Sequence, residues 1–359
     1  MREPLDFDRA PFLVIWEVTR ACALACLHCR ADAIPRRDPR ELTTDEGLRL
    51  IDEVRSFGTR PPLFVLTGGD PMRRPDLLDL VGHAARAGLT VAVTPSGTAA
   101  VTRTRLLELR EAGLSRLAVS LDGPDPASHD AFRGVRGSYQ WTMRIIETVS
   151  ELGLPLQINT TVSRLTLPLL RGMAARVAEY PLVLWAVFFL VQTGRAAALE
   201  QIDAVECEGV LNFLYDLSVT APFGIKTTAG PHYHRVVWQR EQARRGSLTA
   251  PTRMESDRRL RAPRSVNDGN GIVFVDHVGQ ICPSGFLPIA CGNVRDTPLA
   301  RVYRDDHLFR RLRDPEALQG KCGRCPFREM CGGSRSRAYA TTGAVFGQDP
   351  LCAYEPPHA

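Results

Sequence analysis

Residues 12–29 read FLVIWEVTRACALACLHC, an apolar, β-prone run over 12–18 followed at once by three cysteines, Cys22, Cys26 and Cys29, in the spacing CxxxCxxC. The run predicts a strand, and the cysteines a tight loop at its carboxyl end. Three thiolates in one loop can hold three corners of a cubane iron-sulfur cluster and leave the fourth iron without a protein ligand. An open iron is a place for a small molecule to coordinate. The alternative is zinc, but a structural zinc site wants four ligands, and His28 as the fourth is squeezed between ligands and poorly aimed.

Outward from this stretch, β-rich runs recur at 62–67 (PLFVLT), 89–95 (LTVAVTP), 114–121 (LSRLAVSL), 154–162 (LPLQINTTV) and 182–191 (LVLWAVFFLV). Amphipathic segments alternate with them. The first, TTDEGLRLIDEVRSF, opens on a capping threonine and puts Leu48, Ile51 and Val54 on one face; others follow near 76–87, 102–112, 138–152, 166–179 and 205–220. Strand and helix in alternation predict βαβ units, hence an α/β fold on a parallel sheet. Six strands in about 200 residues suit an open or partial barrel better than a closed eightfold one, and chemistry in such sheets gathers at the carboxyl ends of the strands.

The chain has 359 residues, 44% hydrophobic and 24% charged, values of a soluble globular protein that needs no staples to build a core. No apolar run reaches the length of a membrane span, and MREPLDFDRAPF lacks the apolar core of a signal peptide, so a cytoplasmic location is expected. In a reducing compartment ten cysteines are candidate metal or redox ligands rather than a disulfide framework. The net charge of +5 says little about partners, because 43 of the 45 basic residues are arginine, a compositional habit. The Arg-rich stretch 240–264 has no aromatic residue to stack bases, so no nucleic-acid partner is expected. Further on, GIVFVDHVGQICP alternates like a hairpin with its turn at His277 to Gly279, and the tail from 322 is dense in Cys and Gly, as in a segment folded around metal. Its thiols, Cys322, Cys325, Cys331 and Cys352, could by spacing alone hold zinc as readily as a cluster.

CxxxCxHC after a first strand and TGGDP (67–71) after a second resemble the radical S-adenosylmethionine (SAM) superfamily. The resemblance implies a partial (β/α)6 radical SAM barrel in which Cys22, Cys26 and Cys29 hold a [4Fe-4S] cluster whose free iron chelates SAM. Its reductive cleavage yields a 5′-deoxyadenosyl radical, so a low-potential electron donor such as flavodoxin or ferredoxin is implied as partner. Gly68, Gly69 and Asp70 match the family's GGE-type turn, with Asp in place of the commoner Glu. Ser96 and Gly97 after the third strand, and Ser120 and Asp122 after the fourth, fall at positions near the SAM methionyl and ribose groups. Arg133 in HDAFRG resembles the arginine that reaches the SAM carboxylate, and Asn159, Thr161 and Val191 stand where the adenine side is lined.

The tail spacing CxxCxxxxxC followed by a last cysteine resembles the C-terminal half of the SPASM domain, or a twitch-like extension. The resemblance implies that Cys322, Cys325, Cys331 and Cys352 bind an auxiliary [4Fe-4S] cluster, which would place the barrel at 1–222 and a Cys-rich iron-sulfur extension at 223–359. A complete SPASM domain carries a second auxiliary cluster, but the cysteine expected four residues after Cys331 is Arg335. One auxiliary cluster is therefore expected. Cys282 and Cys291 are left over, Cys282 as a candidate hydrogen-atom donor or ligand at the barrel mouth, and Cys207 reads as a core residue.

ICPSGFLP, GNVRD and the cysteine tail resemble the branch that includes haem-maturation enzymes, one of which decarboxylates tetrapyrrole propionates; another decarboxylation in the superfamily acts on a nucleobase-linked sugar acid. A carboxylate-bearing small molecule is thus the expected substrate and radical decarboxylation, a lyase-class reaction, the expected outcome. That chemistry needs a cation for the carboxylate and groups that move protons. The candidates are Lys226, His232, Tyr233, His234 and Arg235 in IKTTAGPHYHR, Arg195 in QTGRA, and Glu17 on the first strand. The alternative is a maturase of a ribosomally made peptide; only 21 residues precede Cys22, which argues against the peptide-binding domain such enzymes often carry at the N-terminus.

Overall fold

The computed structural model describes residues 6–245 and 266–357, so most of the Arg-rich stretch 240–264 lies outside the described residues. Seven parallel strands, β1 (Leu13–Thr19), β2 (Leu63–Gly68), β3 (Val91–Val93), β4 (Arg116–Ser120), β5 (Leu156–Val162), β6 (Leu182–Phe189) and β7 (Gly224–Thr228), lie side by side in chain order. Between them run α1 (Thr44–Arg55), α2 (Leu77–Arg86), α3 (Arg103–Glu111), α4 (Pro126–Arg133), α5 (Ser138–Glu151), α6 (Leu170–Ala178) and α7 (Ala204–Thr220). The first six strands are those the pattern predicts; β7 and α4 it does not show. Both are short, β7 with a lysine and two threonines and α4 with a proline and a glycine at its ends, too little apolar periodicity to read.

Local chemistry sets the helix starts. A full capping box opens α1, with Thr43 accepting from Glu46 N and Glu46 accepting from Thr43 N. The same device, Asp203 with Glu206, opens α7. The strands bury one side under these helices: Val14, Trp16 and Val18 of β1, Trp185, Val187 and Phe189 of β6, and Ile225 of β7 belong to one core. In β5 buried and half-buried residues alternate strictly, and Trp185 Nε1 donates to Thr160 Oγ1 at 2.9 Å on the helix side. The odd-numbered residues of β5 therefore face the barrel interior, as do Ala186 and Phe188 of β6 and Lys226 and Thr228 of β7.

After α8 (His232–Arg245) the hairpin of β8 (Ile272–Val275) and β9 (Gln280–Cys282) forms as expected, with Phe274 opposite Cys282. It does not stand apart: β8 pairs in parallel with β1, Ile15 against Phe274, and β10 (Gly292–Asn293) adds a third edge strand. The ten-stranded order β10-β9-β8-β1-β2-β3-β4-β5-β6-β7 thus runs through position 222. Helices α9 (Leu299–Asp305) and α10 (His307–Arg313), the single turn α11 (Gly320–Gly323) and α12 (Arg335–Thr342) complete the C-terminal part. No helix among the described residues is long and apolar enough to cross a membrane.

Candidate active site and thiol constellations

The loop leaving β1 folds back on itself through Cys22 N to Ile34 O (2.9 Å) and Ile34 N to Arg20 O (3.0 Å). Cys22 and Cys26 are buried and Cys29 half-buried. Each sulfur faces a donor from this chain: Leu24 N at 3.3 Å from Cys22, Ala33 N at 3.5 Å from Cys29, and Arg133 Nη1 at 3.6 Å from Cys26. Burial pushes the Cys22 thiol up, so these donors matter for holding thiolates there. The donor set fits an iron-sulfur cluster. No three His, Cys, Asp or Glu groups among the described residues sit closely enough to share a single ion, and His28 is turned away, stacked on Phe132 at 4.2 Å. Burial drives the His28 imidazole down to about 3.

Arg195 grips this loop. Its backbone N–H donates to Cys29 O (3.0 Å), Nε to Cys26 O (3.0 Å) and Nη1 to Ala33 O (3.1 Å). The structure places it as a clamp of the cysteine loop rather than as a cation open to substrate. Two glycines complete the grip. A Cβ on Gly194 (φ +58) would fall 2.4 Å from Arg30 O, and one on Gly134 (φ +68) 2.6 Å from Ala25 O. Both lie within motifs quoted above, HDAFRG and QTGRA, and that membership is the signal the sequence offered for them.

The GGD turn packs beneath the same loop. Gly69 N donates to Thr19 O and Asp70 N to Ala21 O, each at 2.7 Å. A Cβ on Gly68 would stand 2.2 Å from Thr19 O and one on Gly69 2.5 Å from both Arg20 O and Ala21 O. What these glycines accommodate here is the β1 backbone. Asp70 is fully buried and points inward, accepting from Met72 N (3.2 Å), Ser96 N (3.3 Å) and Thr98 Oγ1 (3.2 Å), which ties the TGGDP and TPSGT loops together. Ser96 Oγ donates to Gly69 O at 2.8 Å and lies 3.2 Å from Cys22 Sγ. Backbone and hydroxyls, not the Asp70 carboxylate, face the cysteine loop.

Asp122 and Arg133 come together with the cysteines. Arg133 Nη2 lies 2.5 Å from Asp122 Oδ2, whose other oxygen accepts from Thr161 N at 2.6 Å. Burial alone would raise the Asp122 carboxyl, but Arg133, then His28 and His129, hold it below the usual carboxylate range. Ser120 and Asn159 sit in register on neighbouring strands, and Gln157 Nε2 donates to Asn159 Oδ1 at 2.8 Å. Val191 is buried in the chain just past β6.

The polar run 226–235 is not one site. It crosses a strand, a turn and a helix, and the periodicity changes scatter its side chains. Lys226 lies on the inner side of β7. Tyr233 is a core residue, its Oη 3.5 Å from Leu214 O, and His234 is half-buried on α8. Arg235 pairs with Glu208 at 2.5 Å and lies over the Tyr354 ring. His232 lines the cavity of the second thiol set, Nε2 at 3.2 Å from Asp349 Oδ2. Glu17 is committed as well. Arg30 Nη2 donates to it at 2.6 Å and His277 Nδ1 lies 3.2 Å away, a pairing that joins β1, the cysteine loop and the C-terminal hairpin. Neither Arg30 nor His277 stands out in sequence, except that Arg30 follows Cys29.

Cys322, Cys325, Cys331 and Cys352 line one cavity, and no three of them lie closely enough to share a single ion. Arg335, at the position of the missing cysteine, is buried; it donates to Gly347 O (2.6 Å) and Val345 O (3.0 Å) and lies 3.7 Å from Cys322 Sγ. An arginine so held leaves no thiol at that place. Cys207 is in the core, and Cys282 and Cys291 lie outside both sets. Burial pushes the Cys282 thiol up to about 12, so it carries its hydrogen at neutral pH. Cys282→Ala is expected to leave the iron content unchanged; iron lost on substitution would make Cys282 a ligand.

A family model described as "Radical SAM superfamily" matches residues 16–168. The AdoMet-dependent heme synthase of Oleidesulfovibrio alaskensis is 41% identical, over 98% of this chain and 89% of that protein. The Fe-coproporphyrin III synthase of Methanosarcina barkeri is 27% identical, over 96% and 88%. In three dimensions the chain is similar to Streptococcus suis SuiB bound to its precursor peptide SuiA, with a TM-score of 0.74 at 16% identity over 96% of this chain and 76% of that one, a likeness of fold.

Proposed function

The chain belongs to the radical SAM superfamily, whose members are enzymes that use SAM and a [4Fe-4S] cluster, and from that premise we propose that it decarboxylates propionate arms of a tetrapyrrole to vinyl groups. The observation that carries the reading is the 41% identity to a heme synthase along 98% of the chain. The peptide-maturase alternative is less favoured, because peptide-modifying relatives are 28–29% identical against 41% for the heme synthase.

The overall change takes –CH2–CH2–COO⁻ to –CH=CH2 and CO2, with a hydrogen atom removed from the carbon next to the macrocycle and one further electron leaving. When bound at Cys22, Cys26 and Cys29, the cluster and SAM supply the hydrogen-abstracting radical. This chain's residues hold the parts in place. Arg195, Gly134 and Gly194 fix the cysteine loop, Asp70 ties two strand-end loops into one rim, and the Asp122–Arg133 pair closes the rim against the loop. Cys322, Cys325, Cys331 and Cys352 would hold a cluster able to take the remaining electron. Incubation of the anaerobically reconstituted enzyme with SAM, a low-potential reductant and iron coproporphyrin III is expected to give 5′-deoxyadenosine and products that have lost CO2 and two hydrogens per arm. Deoxyadenosine without any change in the tetrapyrrole's mass would refute the substrate assignment.

A further inference from the structure

We infer that His232 is a positioning residue of the second thiol set, whose imidazolium donates to the thiolate of Cys352 and raises the reduction potential of the cluster held there, a reading that rests on the auxiliary cluster proposed above. A raised potential fits that cluster to take the electron that leaves the substrate. His232 opens α8 and lines the cavity of Cys322, Cys325, Cys331 and Cys352, with its side chain only 1% exposed. The ring meets Asp349, Nε2 to Oδ2 at 3.2 Å, and the sulfurs of Cys352 and Cys207 stand within its hydrogen-bonding reach. Among the described residues neither ring nitrogen completes an aligned hydrogen bond, so donor capacity is left for a sulfur in the cavity. A carboxylate and a thiolate are both acceptors, and a ring held against both carries a proton on each nitrogen.

One arginine orients both sides of this contact. Arg337 binds the two oxygens of Asp349 at 3.1 and 3.2 Å, and its Nη2 holds Ala229 O in the turn that presents His232. Arg337, Asp349 and His232 are all buried, and two cations against one carboxylate leave a positive charge inside the protein. The other cations of the cavity wall are offset by carboxylates outside it: Arg235 by Glu208, Arg328 by Glu316 and Lys321 by Glu355. Among the described residues no carboxylate lines the cavity, so the thiolates and the cluster they carry are what balance the buried charge. A neighbouring cation and a hydrogen bond to sulfur both favour the cluster that holds the extra electron, and low dielectric strengthens both. The first thiol set is built differently. Its imidazole, His28, is stacked on Phe132, and backbone N–H groups face Cys22 and Cys29. A cluster that reduces SAM and one that accepts an electron need opposite settings, and the placing of the two histidines differs in that sense.

In the reconstituted holoenzyme, electron paramagnetic resonance separates the two clusters, because SAM alters the signal of a cluster with an open iron and leaves that of a fully ligated one unchanged. The SAM-insensitive signal is followed through a redox titration. His232→Phe is expected to lower its midpoint by about tenfold in the reduction equilibrium, about 59 mV for one electron. His232→Gln keeps a donor without the charge, and its midpoint is expected to fall between those of His232→Phe and the wild type. Iron and sulfide contents equal to those of the wild type check that each variant is folded and loaded. A loaded His232→Phe with the wild-type midpoint, or iron lost from both variants, overturns the inference and leaves the auxiliary cluster standing. A wild type without a SAM-insensitive signal overturns both.

Discussion

Cys26→Ala is expected to abolish formation of 5′-deoxyadenosine from SAM and to lower iron from about eight atoms per chain to about four. Only three thiols stand in the loop after β1, and the other groups nearby are spoken for: His28 is stacked on Phe132 and Ser96 Oγ on Gly69 O. Among the described residues, no side chain is placed to stand in for a lost thiolate. Cys26 is also where Arg133 meets the loop, so its removal loosens the Asp122–Arg133 closure as well. Iron and sulfide assay together with chromatographic detection of 5′-deoxyadenosine decides the matter. Retained deoxyadenosine formation would mean that the cluster is held elsewhere. A wild-type iron content near twelve would instead require a third cluster and bring Cys282 and Cys291 back as ligands.

Arg337→Met is expected to cost about 3–5 kcal/mol of stability, the penalty for stranding a buried partner charge. Arg337 and Asp349 are both completely buried, with Nη1 3.1 and 3.2 Å from the two carboxylate oxygens. Arg337 Nη2 also donates to Ala229 O, at the turn between β7 and α8, and so pins the cysteine tail to the barrel. Asp349 in turn accepts from Ser334 N (2.6 Å) and Leu351 N (3.1 Å), organising the chain on either side of the second thiol set. Burial by itself would raise the Asp349 carboxyl, but Arg337 and then His232 hold it far below the usual range. A carboxyl depressed on folding contributes stability that is complete above the unfolded value, about pH 4, and is lost as pH falls below it. The wild type should therefore lose stability toward acid more steeply than Arg337→Met, in which Asp349 no longer has that partner. Thermal unfolding followed by circular dichroism at neutral and acid pH tests both statements. Equal melting temperatures for the two proteins at neutral pH would show that the pair contributes nothing.

How far the sequence could be read depended on whether a residue's role is local. Spacing within a loop is local, so the CxxxCxxC and CxxCxxxxxC thiols could be grouped before any fold was known. TGGDP was equally visible, but the reason for its glycines was not: a Cβ there meets the backbone of Thr19–Ala21, about fifty residues earlier in the chain. The run 226–235 shows the opposite failure. Ten residues that look like one polar cluster cross from a strand of period two to a helix of period 3.6, so Lys226 and Thr228 face the barrel interior while Tyr233 joins the core and His232 the second thiol cavity.

By itself the sequence determined the alternation of six strands with helices and the division of seven cysteines into a set of three and a set of four, because hydrophobic period and ligand spacing are properties of neighbouring residues. Only the tertiary structure decided that the C-terminal hairpin adds to the barrel sheet beside β1, that Arg195, Arg133 and Glu17 are committed to holding the cysteine loop and its surroundings, and that Arg337 locks the tail to the β7 turn. Each of these is a pairing between groups far apart in the chain, and whether a charged side chain is engaged or open is settled by which distant partner the fold brings to it.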